Sequence, residues 1–129
     1  MAVNIEKIIQ VARKNAPADL VIQDGKVVNV FSGEVYPGGI AVVGDRIAAV
    51  GDMTDYIGPN TRVINAGGGY ITPGLIDGHV HVESSMLSVT RFAELALRRG
   101  TTSVMTDLHE VAVVGGLEAV QEVLQEAEK

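Results

Sequence analysis

Cysteine is absent from all 129 residues, which excludes disulfides and thiolate ligands. Any cation held here must therefore be bound by nitrogen and oxygen donors. Basic residues are scarce as well: ten Lys and Arg stand against sixteen Asp and Glu, giving a formal charge of −6. The ten are scattered, so the chain lacks the clustered cations needed to displace counterions from a phosphate backbone, and nucleic-acid binding is excluded on that ground. No uninterrupted apolar run approaches the roughly 18 residues of a membrane span. The N-terminal stretch MAVNIEKIIQVARKNAPADL carries Glu6 and Asp19 and has no long apolar core, so it is not a signal peptide. Internal repeats and low-complexity tracts are also missing. What remains is a chain that is 47% hydrophobic, of the size of one ordinary domain and able to bury a core. The expected setting is soluble and, without cysteine, a reducing cytoplasm.

Three segments follow from the periodicity. Residues 1–19 form a helical segment, in which Ile5, Ile8, Ile9 and Ala12 recur at helical spacing, Asn4 is available as a cap and Pro17 stops the helix. Residues 20–72 change to a β period. LVIQDGKVVNVF sets Asp24-Gly25 between two β-rich runs, a strong hairpin signal, and IAVVGDRIAAVG places a second turn at Gly44-Asp45. Two more short runs, residues 62–65 and 70–72, flank AGGG. Together these predict a small β-sandwich-like domain.

From residue 73 to 129 the order becomes strand, helix, strand, helix, the βαβ pattern of a parallel sheet. GLIDGHVHV reads as a buried strand and SVTRFAELALRRG as a helix capped by Ser88, buried through Phe92, Leu95 and Ala96, and ended by Gly100. TTSVMTDL reads as a second strand. In the last helix Leu117, Val120, Val123 and Leu124 face inward, while Glu118, Glu122, Glu126 and Glu128 form a solvated face. Two β/α units cannot close a barrel, which needs eight and about 250 residues. The chain is thus expected to be either a small open α/β layer or the start of something longer, and a final helix with no strand after it favours the second.

Chemistry concentrates in DGHVHVESS, residues 77–85. Along a strand, residues two apart share a face, so Asp77, His79, His81 and Glu83 are expected to project together. Two imidazoles so placed can converge on one cation within the roughly 2.0–2.1 Å reach of a metal–nitrogen bond. The plain alternative is two half-exposed histidines at a strand end. Two ligands do not fill a coordination sphere, and the remaining candidates in the chain are Asp107, His109 and Glu110 in TDLHE, at the end of the second strand. These three would ligate directly, or orient ligands from behind, or in the case of Asp107 cap the turn.

PGLIDGHVHVESSM resembles the amidohydrolase superfamily, and more narrowly the N-terminal part of adenine deaminases. The closer likeness is carried by VARKNAPADLVIQDGKVVNVFSGEVY at 11–36, DGHVHVESSML at 77–87 and RGTTSVMTDLHEVA at 99–112. The resemblance implies a composite β-sandwich beside a metal-dependent (β/α)8 barrel, of which this chain would hold the small β-domain and the first two β/α units. It implies hydrolysis of adenine to hypoxanthine and ammonia, with His79 and His81 as first-strand ligands of a divalent metal. Mn²⁺ or Fe²⁺ is expected by resemblance, and Zn²⁺ by the preference of imidazole. Asp107, His109 and Glu110 fall on the family's Asp-Pro-His-Glu stretch. Leu108 departs from its proline and Val113 from the asparagine that follows.

The resemblance further implies that the catalytic carboxylate lies outside this chain, with Glu83 and Glu110 the carboxylates within it that could move a proton. The chain alone would be inactive and would associate with itself or be completed by a C-terminal part. Two other readings stand beside this one: a cyclic-amide hydrolase of the dihydroorotase or hydantoinase kind, and a non-catalytic binding or assembly module.

Overall fold

Asn4 opens the described residues, 4–128 of a computed structural model, as a helix cap. Its side-chain oxygen accepts the Lys7 N–H at 3.0 Å and starts α1 (Ile5–Ala12). Pro17 is not what stops this helix. Lys14 turns left-handed at φ 62°, and the amides of Asn15 and Lys14 reach back to the carbonyls of Gln10 and Val11, closing a Schellman motif. The buried face also differs from the expected stripe. Val11 is fully buried and Ile8 packs beside it, whereas Ile5 and Ile9 stay exposed.

Beyond the helix run β1 (Leu20–Val28), β2 (Val35–Val43), β3 (Arg46–Gly51), β4 (Arg62–Asn65) and β5 (Tyr70–Ile71). They form one five-stranded sheet in the order β3-β2-β1-β4, with β5 also on β1. The β1–β2 and β2–β3 pairs are antiparallel, and β4 and β5 run parallel to β1. The Gly44-Asp45 turn joins β2 to β3 as the sequence predicts, with Gly44 at φ 59°.

The Asp24-Gly25 hairpin does not form. The type I′ turn that Asp-Gly favours needs positive φ at both central residues, and here only Asp24 has it, at 57°. The pair instead makes a bulge inside β1, where the register with β2 shifts between Ile22 and Gly25. A Cβ on Gly25 would lie 2.5 Å from Ile71 Cδ1, so glycine here also admits the β5 side chain. The chain reverses later, where Asn29 N donates to Glu34 O at 2.9 Å.

α1 covers one face of this sheet around a core of Val11, Ala18, Val21, Ala41, Val43, Met53 and Tyr56. Full burial of Val11 and Val21 stabilises by about 1.5–3 kcal/mol each. The expected sandwich is not built by residues 4–73, which supply one five-stranded sheet. Ile40, Ile47, Val50 and Ile71 line an open groove of apolar side chains in place of a second layer. These elements make one compact unit, Met1–Pro73.

The second unit, Gly74–Lys129, contains β6 (Leu75–Asp77), α2 (Val89–Leu97), β7 (Thr101–Val104) and α3 (His109–Ala127). β6 and β7 pair in parallel, Leu75 with Thr101 and Asp77 with Val104, which is the expected β–α–β order. β6 is much shorter than predicted and is not buried, with Leu75 and Ile76 at 60% and 70% exposure. It stops at Asp77 because that carboxylate accepts the His79 N–H at 3.1 Å and bends the chain, an Asx-type turn.

α2 ends as expected before Gly100, at φ 88°. Leu95 lies exposed rather than in the buried stripe, and Ser88 makes no side-chain cap bond. α3 begins at His109, ahead of the glycine pair at 115–116, and Gly116 breaks its helical backbone with φ 68° and ψ −165°. Leu117 and Leu124, expected inward, are 79% and 54% exposed. Among the described residues, no helix is long and apolar enough to cross a membrane.

Candidate metal centre

Backbone pairing continues past the formal end of the β6–β7 ladder and sets the geometry of the site. Met105 N donates to Asp77 O at 2.9 Å, and Val80 N donates to Met105 O at 3.0 Å. The bend carrying His79 and His81 is thereby pinned beside the segment that leads to Asp107 and His109. Leu108, between those two, sits left-handed at φ 50° and is buried. A proline ring forbids that φ, so the departure seen in TDLHE is matched by the backbone there.

The three imidazoles stack edge to face in a row. Ring centroids of His79 and His81 are 4.7 Å apart, and those of His81 and His109 are also 4.7 Å apart. Asp107 Oδ1 lies 3.0 Å from His109 Nδ1 and 3.1 Å from His81 Nδ1. Only the first contact has hydrogen-bond alignment, since His81 Nδ1 is buried and has no hydrogen-bond partner. Glu83, from the 3₁₀ turn Glu83–Ser85, approaches the same point. One donor atom from each of His81, Glu83, Asp107 and His109 lies within 4.8 Å of the others.

Charge is shared across this group. The hydrogen bond with His109 holds the Asp107 carboxyl below the usual range, helped by the charges of His109 and His81. The same bond raises the His109 imidazole above its ordinary value. Two imidazoles and two carboxylates are a donor set that suits a divalent first-row cation. Glu83 Oε2 is the second buried side-chain atom of the cluster with no hydrogen-bond partner. A cation would satisfy both orphaned atoms, so the residues present fit one.

Of the residues singled out in the sequence, the structure gathers His81, Asp107, His109 and Glu83. His79 is outside that foursome and touches it through the His81 ring. Asp77, expected on the same face, spends its carboxylate on the chain bend. Glu110 is drawn aside, because Ser84 Oγ donates to its Oε1 at 2.7 Å. Ser84 was not a sequence candidate. A serine in ESS carries no spacing signal, and its partner is 26 residues away.

No protein-family model matches the chain. Among solved structures, D-aminoacylase, described as defining a novel subset of amidohydrolases, aligns with a TM-score of 0.60 and 32% identity. That match covers 70% of this chain and 18% of the other. A D-hydantoinase from Thermus sp. aligns at TM-score 0.58 and 24% identity over 84% of this chain and 24% of its own, a likeness of fold. In fold the chain is thus similar to part of an amidohydrolase.

Sequence relatives narrow the class. An adenine deaminase of Moorella thermoacetica is 51% identical over 120 residues, covering 93% of this chain and 20% of the relative. One from Dehalococcoides mccartyi is 47% identical over 124 residues, covering 96% and 21%. The chain is similar over nearly its whole length to adenine deaminases, and it spans about a fifth of the length of the curated relatives it matches.

Proposed function

We propose that this chain is the N-terminal part of a metal-dependent enzyme that hydrolyses adenine to hypoxanthine and ammonia. In this reading the unit Gly74–Lys129 opens a (β/α)8 barrel, the unit Met1–Pro73 belongs to a small β-domain, and the setting is cytoplasmic. The observation that carries it is the His81–Glu83–Asp107–His109 cluster, in a chain 51% identical to a named adenine deaminase.

When bound, a divalent metal (Mn²⁺ or Fe²⁺, with Zn²⁺ the alternative) would lower the pKa of water toward ~7 and make hydroxide available at neutral pH for attack on C6 of adenine. The chain's own residues prepare for that ion. His79 and His81 would be ligands from the bend after β6. Asp107, by accepting the Nδ1–H of His109, leaves that ring's Nε2 with a lone pair to offer. Glu83 presents an oxygen without a partner. The carboxylate that protonates the ring nitrogen and the departing amine would come from residues outside this chain.

The test uses the full-length polypeptide containing this segment, assayed on adenine and on dihydroorotate, with metal content measured for wild type, His81→Ala and Asp107→Asn. Deamination of adenine and lower metal content in both variants are expected. Turnover of dihydroorotate in place of adenine would move the enzyme to the cyclic-amide hydrolases. Equal metal content in all three proteins would remove the site.

A further inference from the structure

Glu83 and Glu110 come from different elements, the 3₁₀ turn Glu83–Ser85 and the first turn of α3, and the two are fastened to each other by a reciprocal pair of bonds. Ser84 Oγ donates to Glu110 Oε1 at 2.7 Å, while Glu110 N donates to Glu83 Oε1 at the long distance of 3.4 Å. The side chain of Glu110 is therefore held by the residue next to Glu83, and one oxygen of Glu83 is held by the backbone of Glu110. That arrangement leaves Glu83 Oε2 as the free oxygen, buried and unpaired beside His81, Asp107 and His109. It also keeps the carboxylate of Glu110 out of the foursome.

We infer that Ser84 is a positioning residue that decides which of two glutamates serves the cation cluster. By tying Glu110 back, it fixes the start of α3 against the turn Glu83–Ser85, and so aims Glu83. This inference rests on the metal-centre reading above. Without the Ser84 hydroxyl, the Glu110 carboxylate is released, the Glu83 carboxylate loses the support of a fixed Glu110 amide, and two acidic groups compete for one position. Losses of the support behind a metal ligand typically weaken metal affinity 10–100-fold.

The experiment measures Mn²⁺ binding alone, without substrate, by titration and electron paramagnetic resonance of the full-length protein and its variants. Ser84→Ala is expected to raise the Mn²⁺ Kd about ten-fold and alter the bound-Mn²⁺ spectrum. Ser84→Thr, which keeps the hydroxyl, is expected to restore both. Glu83→Gln is expected to weaken binding at least as much, and the double variant Ser84→Ala/Glu83→Gln no further, because Ser84 acts through Glu83.

Unchanged affinity and spectrum in a folded Ser84→Ala protein would overturn the inference and leave the metal centre standing. Fully additive losses in the double variant would overturn it too. A wild-type protein that binds no Mn²⁺ would overturn the metal-centre reading itself, and the inference with it.

Discussion

Thr90, in the first turn of α2, donates both its backbone N–H and its hydroxyl to one oxygen of Glu126, near the end of α3, at 3.3 and 2.7 Å. A carboxylate from another helix thus does the work of an N-cap, satisfying an orphan donor that Ser88 leaves unpaired. Replacing Thr90 with Val, or Glu126 with Ala, is expected to cost about 1 kcal/mol, within the range for lost caps. Urea titration measures the loss, and hydrogen exchange at residue 90 locates it. An unchanged exchange rate in Glu126→Ala would refute the capping role.

Asp19 gives a pH-dependent contribution in the other unit. Its carboxyl is held below its ordinary value, first by the hydrogen bond from Lys7 Nζ and then by the Gly44 N–H at 2.9 Å. A folded-state value below the unfolded one means that the stabilisation is present above the unfolded value of about 3.9 and is lost as pH falls through the folded value. The side chain is 46% exposed, so screening limits the effect to under about 1 kcal/mol. Asp19→Asn should therefore destabilise at pH 7, and the difference from the parent should vanish as pH falls through the folded value. A penalty that stays constant with pH would contradict this.

Gly39 in β2 is a packing glycine. A Cβ there would stand 2.2 Å from the Ile22 carbonyl oxygen and 2.6 Å from Met53 Cγ. Gly39→Ala is expected to lose about 2 kcal/mol or more by overpacking, whereas Gly78→Ala, with nothing within 4 Å, should stay within about 0.5 kcal/mol. Equal melting temperatures for the two variants would show that the sheet relaxes around the new methyl.

Both strands of the β6–β7 pair are edges, and Leu75, Ile76 and Met105 stand exposed on or beside them. Unpaired edges with apolar side chains associate. The 129-residue chain alone is expected to form dimers or larger species in sedimentation velocity, reduced by Ile76→Lys. A monodisperse monomer at tens of micromolar would count against exposed edges as sticky surfaces.

Local chemistry explains what could be read from residues alone. The cap at Asn4, the Gly44-Asp45 turn, the helix stop at Gly100 and the strand–helix–strand order all depend on neighbours a few positions away. Long-range contacts explain the misses. Asp24-Gly25 looks like a hairpin until β5 packs its Ile71 against the glycine, and Glu126 looks solvated until Thr90 reaches it.

The sequence by itself determined that any metal here must be held by nitrogen and oxygen donors, and that His79, His81, Glu83, Asp107, His109 and Glu110 were the groups to watch. Only the tertiary structure decided which of them meet. The bend at Asp77 takes the histidines off the strand, yet the Val80–Met105 bond returns them to Asp107. It also chose Glu83 over Glu110, because a hydroxyl 26 residues from its partner fixes that choice, and no periodicity encodes a contact between a 3₁₀ turn and the start of a distant helix.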